Sequence, residues 1–247
     1  MREVAVIFRR ELKSYFVSPI AYVFGVLFLA VLLLLALILR FVPLDNGAQA
    51  SLQGFFWLMP VVFLFFLPGL TMRLWAEERK TGTLELLMTF PVKIGHLILG
   101  KFCASLIYLA VVLALTLVLP ATLSVYGNLD WGPVLGAYLA TLLLASAYIA
   151  TGMFWSSMTR DQIVALLLGL VTLLLLYALG FPMLLEWLAG SLPSWLLDLM
   201  NGISPYKYYE SITRGVVDTR DIVYFTCFCG FFLHCNALVL QARRAKG

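Results

Sequence analysis

AEERKTGTLELLMTFPVK, residues 76–93, decides how this chain is read. It holds three acids and three bases in eighteen residues, inside a chain that is 62% hydrophobic and 12% charged. An uncharged apolar run precedes it, FFWLMPVVFLFFLPGLTM (55–72), and a second follows it, FCASLIYLAVVLALTLVLPATLSVY (102–126). Crossing a bilayer takes about 20 apolar residues in a helix. The charged stretch is therefore a polar connection between two membrane spans.

Working outward, six spans are expected, at about 17–39, 55–72, 102–126, 131–159, 163–185 and 222–240, and none holds Asp, Glu, Lys or Arg. A mean hydropathy of +0.97 agrees with a polytopic helical membrane protein. Only Arg160 and Asp161 part the fourth span from the fifth, and two adjacent charges belong in a short turn outside the hydrocarbon. The second span carries Pro60 and Pro68-Gly69, which predicts a kink. The first span is read as a retained anchor, because its apolar core is long for a signal peptide and Arg40 precedes the Ala48-Gln-Ala50 triplet. With no repeat and no low-complexity linker, residues 1–247 form a single membrane domain.

Basic residues set the orientation. Six spans put both termini on one side, with thirteen Lys and Arg there against four opposite (Arg40, Lys207, Arg214 and Arg220). The termini and residues 76–93 are accordingly cytoplasmic. The net charge of +4 reflects that asymmetry and is no sign of nucleic-acid binding.

Two flanking regions carry more than a loop needs. MREVAVIFRRELKSYF (1–16) spaces Val4, Ile7, Phe8, Leu12 and Tyr15 at helical intervals, which fits an interfacial helix ending near Ser18-Pro19; a plain basic flank is the other reading. Between the fifth and sixth spans, Glu186–Asp221 is too apolar for a free loop, yet Pro193 and the charges deny another crossing. It is read as an external re-entrant or interfacial helix pair, either capping an outward exit or only anchoring.

Intrinsic chemistry finds little support. H-E-x-x-H, G-x-S-x-G and paired intramembrane aspartates are absent. Gly95-His96-Leu97-Ile98-Leu99-Gly100-Lys101 fits G-x-x-x-x-G-K, but Phe102 stands where magnesium needs Ser or Thr. Cys227, Cys229, His234 and Cys235 share one helix, where Cys227 and His234 sit about 10 Å apart along the axis, so they cannot gather around zinc. No metal is expected. The spans hold no acid for ion coupling. The chain thus carries no energy source of its own, and it is a conduit, an anchor, or a subunit driven by another protein.

Within 73–101, Gly82 caps a helix start with Glu85 at its third position, Leu84, Leu87 and Met88 form an apolar stripe, and Pro91 ends it. The result is a short amphipathic helix on the cytoplasmic face, with Glu77-Glu78-Arg79-Lys80 projecting into water as its lead-in. It suits a contact for a cytosolic partner; an inert interfacial loop is the plain alternative.

These residues carry a resemblance. AEERKTGTLELLMTFPV, followed by Gly100-Lys101, resembles the loop of type 2 ABC exporter permeases, which shows an acidic-basic start, G-T-x-E-x-L and a later Pro between the second and third spans. RRELKSYFVSPIAY (9–22) and SPYKYYESITRGVVDTRDIVYF (204–225) also fit, the latter most like the gliding-motility-type branch. The resemblance implies a non-catalytic subunit, paired with a second permease chain, alike or different, and with two copies of a separate ATPase that binds ATP and magnesium. No cofactor belongs to this chain. Residues 82–90 become the coupling helix, with Glu77, Glu78, Arg79, Lys80, Gly82, Thr83, Leu84, Glu85 and Leu87 in the ATPase contact. The N-terminal helix becomes the connecting helix, and 187–215 the external re-entrant helices. Phe63, Phe66, Thr172 and Tyr177 become candidates for the substrate path along the second and fifth spans. The place implied is a bacterial inner membrane, with lipid around the spans. The competing readings are a membrane anchor through which an ATPase works on an external partner, and an enzyme built around His234.

Overall fold

The computed structural model describes residues 2–38, 52–85, 93–126, 129–190, 192–215 and 218–244, and every element within them is an α-helix. The N-terminal pattern forms α1 (Arg2–Val17), and Pro19, which has no N–H to continue it, opens α2 (Pro19–Ile38). The second apolar run forms α3 (Gln53–Thr71), and after the single residue Met72 the chain resumes as α4 (Arg73–Lys80). α5 (Ile94–Leu115) and α6 (Val118–Tyr126) follow, then α7 (Trp131–Met158), α8 (Gln162–Ala178), α9 (Pro182–Ala189), α10 (Ser194–Ile203), α11 (Pro205–Thr213) and α12 (Thr219–Arg244).

Five helical stretches are long and apolar enough to cross a membrane, and a sixth is reached if α8 and α9 count as one bent span. That pair corrects the expected continuous fifth span at 163–185. The chain turns by 63° between Ala178 and Pro182. Pro182 supplies the physical reason, because it has no N–H for Ala178 O and holds Phe181 extended; the Ser204 hydroxyl then donates to Leu176 O at 2.7 Å, and a Cβ on Gly180 would stand 2.2 Å from Ser204 Oγ. The freed end of α8 is thus occupied by the segment that precedes α11.

The third span is also longer than expected. α5 begins at Ile94 rather than 102, so Lys101 lies two turns inside it. Pro120 has no N–H for Thr116 O, and the ladder breaks at Thr116–Leu117 before α6. The Thr116 hydroxyl lies 2.9 Å from Tyr138 Oη, which fixes that break against α7.

α7 is the central post, packed by α3, α4, α5, α8, α11 and α12. Its buried face is built from small residues, Ala137, Ala140, Thr141, Ala145, Ala147, Ala150, Thr151 and Gly152. Small side chains let helix backbones approach where water cannot drive packing. A Cβ on Gly152 would fall 2.1 Å from Thr71 Oγ1, so α3 and α7 touch closely there. The turn expected at Arg160-Asp161 is present, and Asp161 Oδ1 accepts from Ile163 N at 2.9 Å to start α8.

The 187–215 segment is not one pair of surface helices. α9 and α10 bury no residue, whereas α11 enters the bundle with Tyr206, Tyr209 and Ile212 enclosed. Tyr209 Oη donates to Phe56 O at 2.6 Å, which ties α11 to the start of α3.

Candidate functional site

Both described chain ends, the helical stretch after Met72 and the start of α5 meet at one end of the bundle. The charged run Glu77-Glu78-Arg79-Lys80 is there, but it is not a lead-in projecting into water. It is the last turn of α4. Glu77 and Lys80 are exposed, while Glu78 turns inward and Arg79 is half-buried.

Glu78 meets Lys101. Lys101 Nζ stands 2.8 Å from Glu78 Oε1 and 3.2 Å from Glu11 Oε1, with only 3% of its side chain exposed. Its ammonium also lies 5.0 Å from the centre of the enclosed Trp75 ring, a cation–π contact. One buried cation therefore joins three elements: α1 through Glu11, α4 through Glu78, and α5 through itself. A buried charge is tolerable only when paired in this way. The expectation that placed Lys101 among the loop charges is corrected by this burial. The hydrophobic spacing around it already continues the helix from Ile94, so α5 absorbs the lysine and folds two carboxylates over it.

α1 is fastened to the same helix along its length. A Cβ on Gly100 would stand 2.6 Å from Ile7 Cγ2, so α1 crosses α5 at that glycine. Glu3 pairs with His96 Nδ1 at 2.8 Å, and Tyr15 stacks on Tyr108 with its hydroxyl 3.0 Å from Ser105 Oγ. The N-terminal helix is thus packed on α5 rather than only resting on a surface.

Ser156 of α7 sets where α4 begins. Its Oγ donates to Met72 O at 2.8 Å and accepts from Trp75 N at 3.0 Å and Ala76 N at 3.2 Å. One enclosed hydroxyl therefore satisfies the backbone groups released by the break at Met72. It also fixes α4 to the end of α7.

The other end of α4 is closed by T-G-T. Thr81 Oγ1 donates to Glu77 O at 2.9 Å, Thr83 Oγ1 donates to Glu78 O at 3.3 Å, and the two hydroxyls are 2.9 Å apart. Gly82 has φ +73°, the left-handed conformation that ends helices. It closes α4, and it also stands immediately before the helical residues 83–85, where the sequence placed a helix start. Residues 83–85 are again helical, with Leu84 buried and Glu85 exposed, as the apolar stripe predicts. Leu84 packs among Leu74, Trp75, Ile94, Leu97, Met153 and Leu240. Leu87, Met88 and Pro91, and so the rest of the expected 82–90 helix, lie outside the described residues.

Arginines surround the end of α7. Arg79 Nη1 donates to Ser157 O at 3.3 Å and Arg243 Nη2 donates to Met158 O at 3.0 Å. Cations at a helix C-terminus offset its dipole. Arg160 and Arg243 lie near enough to Arg79 to repel it, so the three form one positive patch beside α4.

The four path candidates fall into two places. Phe63 is fully enclosed and stacks on Phe28 at 5.8 Å between centroids, and half-buried Phe66 meets the same Phe28 ring edge-on at 5.4 Å. Tyr177, towards the other end, packs on Tyr206 at 4.9 Å, and Thr172 is half-buried on α8. Cys227 and His234 are exposed on α12, and Cys229 Sγ lies 3.2 Å from Ser146 Oγ. Among the described residues, no three His, Cys, Asp or Glu side chains gather at one point.

The described residues thus form an all-helical bundle with five or six candidate membrane crossings. Residues 5–233 match the family model described as ABC-2 family transporter protein. The chain belongs to that family. It is therefore a type 2 ABC permease, and membership implies an ABC ATPase partner in a transporter complex. No curated protein matches the sequence significantly. In this ABC-2 permease, reading by sequence alone passes over Glu11, Ser156 and Ser105, and over the burial of Lys101. Tyr15 stood in the apolar pattern of the N-terminal helix and Gly100-Lys101 in the resemblance, and a lysine seven residues after Ile94 in a long apolar run was the available signal.

Proposed function

We propose that this chain is the membrane-spanning subunit of an ATP-driven exporter, and that residues 76–93 transmit the work of a separate ATPase to the spans. The ATPase, in two copies, binds ATP and magnesium, and a second permease chain completes the transporter. The membrane is the bacterial inner membrane, with both termini in the cytoplasm. Glu77, Lys80, Thr83 and Glu85 present the outer face of the contact, while Glu78 and Leu84 hold it to the bundle.

One observation supports this reading above the rest. Ser156 bonds directly to the start of α4, and Glu78 at its end is bonded to Lys101. A push on the exposed turn at 81–85 thus reaches α7 and α5 through two short polar connections, with no loose linker between. A rigid lever of this sort moves packed helices as units.

Detergent pull-down from native membranes tests the assignment, with wild type and Glu85→Arg compared. The reversal puts a positive charge on the proposed contact. An ATPase that co-purifies with wild type and is lost from a still-folded variant supports the coupling role. Absence of an ATPase from both removes the motor and overturns the coupling role.

A further inference from the structure

A cavity of about 450 Å³ opens at the end of the bundle away from α4, between the starts of α3 and α7 and the side of α11. Small-molecule sites span about 300–1,000 Å³, so it is large enough to hold one. Its floor is apolar, with Phe56 from α3, Val134 and Ala137 from α7, and the Tyr209 ring from α11. The Tyr209 hydroxyl is already given to Phe56 O, so the floor offers ring and aliphatic carbon.

Trp57 forms part of the wall and is 46% exposed. Its indole N–H donates to the Tyr206 hydroxyl, which holds the ring in place. A fixed indole left half open presents a rigid aromatic surface. Asp130, Glu210, Thr213 and Arg214 stand around the same cavity. Asp130 Oδ1 caps the start of α7 by accepting from Gly132 N, and Glu210 Oε1 takes Arg214 Nη2 at 2.5 Å. Thr213 donates to Glu210 O. Each carboxylate keeps its other oxygen as an acceptor, Thr213 Oγ1 can still accept, and Arg214 keeps N–H groups to give.

Charge narrows the ligand. Asp130 is offset by the helix start that it caps, and Glu210 by Arg214, so neither carboxylate is left uncompensated for a cation. An anion would meet both of them. What remains is a neutral molecule with one apolar face and several groups that both give and take hydrogen bonds. A saccharide has that pattern, since its ring C–H bonds form an apolar face and each hydroxyl is donor and acceptor at once. We infer that this cavity binds a neutral saccharide, with a ring face on Trp57 and its hydroxyls shared among Asp130, Glu210, Thr213 and Arg214. The ATPase contact lies at the other end of the bundle and plays no part in this binding. That the cavity opens to the outside of the cell rests on the orientation proposed above.

The test uses the purified permease in nanodiscs, which leave both of its ends open to solute. Saturation-transfer NMR is run with the methyl glycosides of glucose, galactose, mannose and N-acetylglucosamine, and with tetramethylammonium and inorganic phosphate as charged probes. Transfer to at least one glycoside is expected, strongest at the protons of one ring face. Trp57→Ala should raise its Kd about tenfold, and Trp57→Phe, which keeps an aromatic ring, should recover a large part of the affinity. Asp130→Asn keeps a side chain able to cap α7 and should weaken binding severalfold with little change in melting temperature. No transfer to any glycoside, or an unchanged Kd in Trp57→Ala, overturns the site. An unchanged Kd in Asp130→Asn overturns the hydroxyl contacts given to that carboxylate. Tighter binding of tetramethylammonium or phosphate, lost in Trp57→Ala, overturns the ligand class and gives the cavity to an ion. ATPase binding is not read in any arm, so a failed coupling assignment leaves these outcomes intact.

Discussion

Lys101 Nζ lies 2.8 Å from Glu78 Oε1, across 23 residues of chain that leave the second span and enter the third. The same ammonium takes Glu11 from the N-terminal helix. Helices that are far apart in sequence are thereby fixed to one charge at the end of the bundle.

Removing the cation is expected to be costly. Lys101→Met leaves two mostly buried carboxylates facing one another, and breaking a buried pair in this way costs about 3–5 kcal/mol. Thermal unfolding in detergent should show a clear loss. The triple variant Lys101→Met, Glu11→Gln, Glu78→Gln removes the stranded charges and should recover a large part of it. A triple variant no more stable than Lys101→Met would show that packing, not charge, accounts for the loss.

Ser156→Ala deletes the hydroxyl that serves Met72, Trp75 and Ala76. Leaving buried backbone groups unpaired costs about 1–3 kcal/mol. The start of α4 should loosen, seen as faster amide exchange at Trp75 and Ala76. Ser124→Ala is the control, because that exposed hydroxyl bonds only within its own helix, to Ala121 O. Equal exchange at Trp75 in both variants would dismiss the role given to Ser156.

The limits of sequence reading follow from these same residues. Apolar runs and Pro19 fixed the helix ends near 17–19 and 131–158 because those signals are local. Leu84 inward and Glu85 outward also followed from spacing alone. The break after Ala178 was passed over although Gly180 and Pro182 mark it locally; its packing on Ser204, 28 residues from Leu176, was not legible. Lys101 was counted with the charges outside the third span, which was taken to begin at 102; the two glutamates that make its burial tolerable come from other elements. Gly82 was read as the start of the helix that follows; that the hydroxyls on either side of it also close the preceding helix depends on the three-dimensional arrangement. The segment holding α11 was read as a re-entrant or interfacial pair; which part of it is enclosed depends on its packing against α7 and α8.

Gly152 and Thr71 test the closeness of the second and fourth crossings. Gly152→Ala puts a methyl group 2.1 Å from Thr71 Oγ1, and such overpacking costs about 1–3 kcal/mol. Thr71→Ala alone removes a γ-methyl and a hydroxyl that bonds to Leu67 O and Pro68 O within its own helix. The double variant should be more stable than Gly152→Ala, a non-additivity expected of residues in contact. Strictly additive losses would mean that the helices move apart without consulting this pair.

The positive patch of Arg79, Arg160 and Arg243 predicts how the partner arrives. Arg79 and Arg243 already serve carbonyls at the end of α7, so their removal would confound binding with folding. Arg160 is exposed and makes the cleaner probe. Charges at the edge of an interface act mainly on the rate of association, and they act less as salt rises. Arg160→Gln should therefore slow association with the ATPase severalfold at low ionic strength, leave dissociation nearly unchanged, and converge with wild type in high salt. Surface plasmon resonance on nanodisc-embedded permease measures all three. A faster association in Arg160→Gln would mean that the partner presents positive charge to this end, and the patch would then oppose docking instead of guiding it.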